Sequence, residues 1–89
     1  MLYPKIQSLQ LMNDYNLLVK FDNQQMRTYD VKPLLKQERF FSLKNPVLFK
    51  QVQIEIGGYA VYWNDEIDLS EHEIWLHGVP FVFNDLSKD

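Results

Sequence analysis

Between Gln51 and Leu69 the chain alternates, turns and alternates again. Val52, Ile54 and Ile56 interleave with Gln51, Gln53 and Glu55, and Tyr59-Ala60-Val61-Tyr62-Trp63 follows a Gly57-Gly58 pair. A period of two sends every second side chain to one face, so such a run makes a strand with one buried side. Two glycines between two such runs predict a two-residue hairpin, because these turns need positive φ. The fold must therefore contain antiparallel strands and something apolar to cover them.

The rest of the chain supplies both. Lys5 to Met12 reads as a first strand with Leu9 and Leu11 in phase, while Ile6 falls out of phase and predicts a bulge or an irregular start. Tyr15 to Phe21 carries Leu17, Val19 and Phe21 in phase, and Gln25 to Asp30 makes a third strand after the Asp22-Asn23 turn. Three strands with short loops form a meander. Pro33 opens a short helical turn, Phe40, Phe41 and Leu43 follow as anchors to the sheet, and Asn45-Pro46 repeats the helix-start signal.

The last helix begins with a capping box, Ser70-Glu71-His72-Glu73, flanked by Leu69 and Ile74 at the staple positions. Gly78 is placed for a left-handed stop. Val79 to Phe83 reads as a short terminal strand or an arm, with Pro80 unsuited to a central strand. The expectation is an α+β fold. Its antiparallel sheet is built from an N-terminal three-strand meander and a Gly-Gly hairpin, with short middle helical turns and one C-terminal helix. One domain accounts for residues 1–89, with 79–89 as a C-terminal arm. Trp63 is expected in its core.

Little in the sequence carries chemistry. The 89 residues contain no cysteine, which excludes a disulfide framework, a thiolate zinc site and a cysteine nucleophile. His72 and His77 would point about 140° apart on a helix, whereas two ligands on one face need a spacing of three or four. Asp65, Glu66 and Asp68 lack the spacing and the glycine of a calcium loop. They read as a solvated turn in which Asp68 helps cap the helix. No serine lies in a nucleophile elbow, and Gly57-Gly58 precedes a strand, not the helix of a phosphate loop. The expectation is a protein that is not an enzyme, with no catalytic residue, cofactor or metal.

Charge is unevenly placed. Residues 1–50 carry eight Lys and Arg against four Asp and Glu, or +4, and residues 51–89 carry one against eight, or −7. Unlike ends could steer a partner or draw chains together head to tail, or simply neutralise each other within one domain. Lys32, Lys36, Arg39, Lys44 and Lys50 interleave with Phe40 and Phe41, but the chain is acidic, with a pI near 5.2, and nucleic-acid binding is not expected. No long apolar run or signal-peptide core appears, so a cytoplasmic, non-membrane location is expected.

The remaining signal is an excess of large side chains. Tyr59, Tyr62, Trp75, Phe81 and Phe83 exceed what one face of a small sheet can cover. Either the helix and tail cover both faces, or some of these residues meet another chain, as sizeable apolar patches do.

With these positions in hand, the chain resembles the domain of unknown function 2442 family (DUF2442), small bacterial proteins. The resemblance rests on Phe21-Asp22, Tyr29-Asp30-Val31, Pro33-Leu34-Leu35, Leu43, Phe49, Val52, and Trp63 with Ile67-Asp68-Leu69. It runs from about Ile6 to Gly78. Asp22-Asn23-Gln24 stands where the family more often has a glycine. The resemblance implies an α+β fold, no catalytic residues to carry over, and for some members an antitoxin-like or regulatory role beside another small protein. The leading expectation is an interaction module, homodimeric or bound to another protein through a sheet edge or the aromatic tail. The alternative is a small-molecule-binding or enzymatic domain using Asp65, Glu66, Asp68 and His72.

Overall fold

The computed structural model describes residues 3–82 and has the expected α+β class. Strands β1 (Ile6–Met12), β2 (Asn16–Phe21) and β3 (Met26–Asp30) form the antiparallel meander. Its register shifts between Ile6 and Ser8, the bulge or irregular start that the broken phase pointed to. Two 3-10 segments, Lys32–Lys36 and Glu38–Lys44, lead into helix α1 (Pro46–Phe49). Asn45 Oδ1 accepts from the Val47 N–H at 2.9 Å and caps that single turn.

Strands β4 (Gln53–Ile54), β5 (Ala60–Asn64) and β6 (Ile67–Ser70) follow, then helix α2 (Glu71–His77) and β7 (Val79–Phe81). The strands make two sheets where the sequence pointed to one, with orders β1-β2-β3-β7 and β4-β5-β6. β7 pairs antiparallel with β3 and lies at a sheet edge, where Pro80 costs the ladder least.

The Gly57-Gly58 connection is longer than a two-residue turn. Ile56–Gly58 is a 3-10 turn with both glycines at positive φ, and the ladder closes only at Ile54↔Val61. The alternation therefore ends at Ile54. Val52 and Ile54 lean on the core, whereas Ile56 is 95% exposed instead of sharing their face. The tight hairpin comes one strand later, at Asp65-Glu66. There Asn64 Oδ1 accepts the N–H groups of Glu66 and Ile67 and folds the chain back.

One apolar cluster joins the layers. It takes Leu17, Val19, Phe21 and Tyr29 from the first sheet, Val61, Trp63, Ile67 and Leu69 from the second, and Phe40, Leu43, Phe49 and Ile74 from between them. Trp63 is buried as expected, and its indole N–H donates to the Phe49 carbonyl at 2.9 Å. Phe41 departs from the expected anchoring: it is exposed, with the Lys44 ammonium 4.3 Å from its ring centre.

Helix α2 starts as read, with Ser70 Oγ accepting the Glu73 N–H at 3.0 Å. The reciprocal half of the box is replaced. Glu73 turns to Tyr29, whose hydroxyl donates to it at 2.7 Å, and to His77 Nδ1 at 3.1 Å. Asp68 takes no part in the cap; it is exposed and paired with Arg39. Gly78 has φ −74°, not the left-handed value expected. Its lack of a side chain serves close approach, since a Cβ there would lie 2.5 Å from the Ile74 carbonyl.

Candidate interaction surface

The register of the four-stranded sheet sorts its side chains. Leu9, Leu17, Val19 and Tyr29 share the inner face over the core, and Leu11 lies on the same face beyond it. Two rows cross the outer face: Gln10, Leu18, Thr28, Val79, and Ser8, Lys20, Met26, Phe81. None of these eight residues is buried or belongs to the core cluster. Toward β1 the rows are polar. Toward β7 they bring Leu18, Met26, Val79 and Phe81 together around Thr28.

Val79 is 64% exposed, and a hollow of about 300 Å³ beside it is lined by Gln24, Gln25, Met26, Arg27, Pro80, Phe81 and Val82. The quartet is apolar because β2 and β3 carry Leu18 and Met26 out of phase with their buried residues. Periodicity alone reads those positions as incidental; the pairing of β7 with β3 is what assembles them.

The edge of β7 away from β3, unpaired among the described residues, is a poor template for another strand. Pro80 has no N–H, and proline is tolerated in a sheet where its nitrogen faces away from the ladder. The open side of this three-residue strand thus lacks its central donor, a common protection against edge pairing. The surface offered at this end is the face.

The residues singled out from the sequence do not form one patch. Phe81 lies in the quartet. Trp75 is on the opposite side of the same sheet, edge-on to Phe21 at 5.2 Å and under the Arg27 guanidinium at 3.8 Å. Tyr59 is exposed in the β4–β5 connection with Lys5 over its ring, and Tyr62 is half-buried with its hydroxyl donating to Gln53. Phe83 lies outside the described residues.

The acidic group is dispersed as well. Asp65 and Asp68 border a hollow with Glu55 and Tyr62, but His72 is elsewhere, its ring stacked on Tyr3 with centres 4.4 Å apart. Among the described residues no group of three or more His, Cys, Asp or Glu is placed to hold a metal ion.

A more polar cleft of about 400 Å³ runs between Gln37, Arg39, Asp68, Ser70, Tyr29 and Glu73. Its charges are used internally. Arg39 binds Asp68 at 2.6 Å, and Glu73 binds Tyr29 and His77. Burial, and then the hydrogen bond to the Glu73 carboxylate, push the Tyr29 hydroxyl well above the ordinary tyrosine pKa. A proton held that firmly makes the Tyr29–Glu73 bond a structural link between the first sheet and α2.

The two sheets over a shared core, with an apolar quartet at the β7 end of one outer face that lies outside the core cluster of the described residues, define a small α+β domain. A family model described as "Protein of unknown function (DUF2442)" matches residues 6–80, and the chain belongs to that family. No curated protein and no solved structure matches it. No helix among the described residues is long and apolar enough to cross a membrane.

Proposed function

We propose that this protein is a protein-binding module of regulatory, antitoxin-like character, which meets its partner through the outer face of the four-stranded sheet at the β7 end. The observation that carries this reading is the quartet Leu18, Met26, Val79 and Phe81, adjacent by register and packed on nothing in the core. Covering it with another protein removes apolar surface from water at about 25 cal/mol per Å². The polar half of the same face, Ser8, Gln10 and Lys20, would form the rim that such interfaces keep wet. Pro80 directs the contact to the face and away from the β7 edge.

The test compares the wild-type chain, a Leu18→Lys/Phe81→Lys variant and a control, Val47→Ser, as baits in the native host. Circular dichroism and melting verify that all three fold. A protein bound at constant stoichiometry by wild type and control, and lost from the double variant, is the expected result. Equal recovery by all three baits, or none by wild type, overturns the proposal.

A further inference from the structure

A second pair of features lies away from that face. The turn after β4 carries the most exposed large apolar side chain among the described residues, Ile56 at 95%, beside the exposed carboxylate of Glu55. Both glycines behind it hold positive φ, and Gly58 is wedged against the Ile6 backbone, so Ile56 projects from a fixed base. Around the β1–β2 turn, a hollow of about 280 Å³ is lined by Leu11, Met12, Tyr15, Pro46, Phe49 and Lys50, with Asn13 and Asp14 completing it.

This hollow is also built. Tyr15 is held at φ 65°, a conformation costly for an aromatic residue, by its ring on Phe49 at 4.5 Å and its hydroxyl on the Lys44 carbonyl at 3.0 Å. Leu11 and Met12 remain 37% and 39% exposed at its mouth. Lys50 is exposed there and makes no ion pair among the described residues.

We infer that the occupant of this hollow is the Ile56 turn of a second copy of the chain. The match is of polarity and of charge. One branched aliphatic side chain enters a mainly apolar recess with room for it and part of its turn, which sets Glu55 of one copy against Lys50 of the next. Beside the knob, Asp65 is a further exposed acid on the surface shared with Glu55 and Ile56; at the hollow, Asp14 is already paired with Lys32, which leaves Lys50 as the cation there. The contact is heterologous, because knob and hollow are different surfaces, and each copy keeps one of each free. Association therefore proceeds head to tail into rings or short chains, and it weakens as salt screens the rim charges.

Sedimentation velocity on the full chain tests this at concentrations up to about 1 mM. Wild type is expected to show a mass that rises with concentration in about 0.1 M salt and falls toward the monomer in about 1 M. Ile56→Ser removes the knob, and Met12→Glu/Lys50→Glu blocks the hollow. Each alone should weaken self-association at least about tenfold, and since the altered side chains are exposed, circular dichroism should be unchanged. Mixed together, the two variants retain one working knob and one working hollow between them. The mixture should form one-to-one dimers and nothing larger. A wild-type monomer throughout, association untouched by Ile56→Ser, or a mixture that stays monomeric overturns the inference. The variants of the sheet face leave Ile56 and Lys50 intact, so failure of the functional proposal and failure of this contact are separable.

Discussion

Gly57 and Gly58 are neighbours at positive φ, yet a methyl group meets different surroundings at each. At Gly58 a Cβ would lie 2.4 Å from the Ile6 carbonyl oxygen and 2.9 Å from its nitrogen, so a strand must move. At Gly57 it would touch only the ring of Tyr59, an exposed side chain that can swing away. Gly58→Ala should therefore cost about 2–3 kcal/mol and Gly57→Ala about 1 kcal/mol, measured by urea unfolding. Equal losses would show that β1 yields freely at Ile6. Gln24 is the reverse case. It sits at φ 75° in the β2–β3 turn, a conformation that favours glycine. A left-handed residue with a Cβ costs roughly 1–2 kcal/mol, against about 0.5–1 kcal/mol for the greater freedom glycine loses. Gln24→Gly should raise stability by up to about 1 kcal/mol, and a loss would show that the Gln side chain holds the turn.

At the scale of elements, local chemistry that acts through one or two residues was legible. The Ile6 bulge, the Asn45 cap before Pro46 and the Ser70 cap all stand where the sequence put them. The misreadings have a shared cause: a partner distant in sequence takes over a group that local rules assign nearby. Glu73 abandons the capping box because Tyr29, 44 residues earlier, offers a buried hydroxyl. Asp68 leaves the helix start because Arg39 reaches it from the 3-10 segment. The Gly-Gly signal placed the β4–β5 hairpin correctly but not its loop, which is longer than two residues. The tight turn made by the Asn64 side chain between β5 and β6 went unread. The apolar quartet was the least visible feature, because Leu18 and Met26 acquire neighbours only when β7 returns to β3. Since Ser70 keeps its half of the box alone, Ser70→Ala should cost about 1 kcal/mol. Amide exchange at Glu73 should quicken with it, and an unchanged rate there would mean that Tyr29 alone pins this end of α2.

For the whole molecule, the joints between layers are proton-dependent, and their signs agree. Burial and the Glu73 carboxylate raise the pKa of Tyr29, which ties the first sheet to α2. A hydrogen bond to Glu71 holds the Lys5 ammonium above its ordinary value and ties the start of β1 to the same helix. Asp14 does likewise for Lys32, linking the first hairpin to the segment that follows β3. In each case the folded chain keeps a proton more firmly than the unfolded chain. The stability they contribute is complete below the unfolded values, about 10 for tyrosine and about 10.4 for lysine. It is lost as pH rises through the higher folded values. The urea midpoint should therefore fall steadily once pH exceeds about 10. Tyr29→Phe should start from a lower midpoint, having lost a hydrogen bond to a charged group worth about 1.5–3 kcal/mol, and should then decline less steeply. The slope is the readout. An equally steep fall in the variant would transfer the alkaline sensitivity to Lys5 and Lys32 and leave Tyr29 a packing residue whose hydroxyl titrates as it would in water.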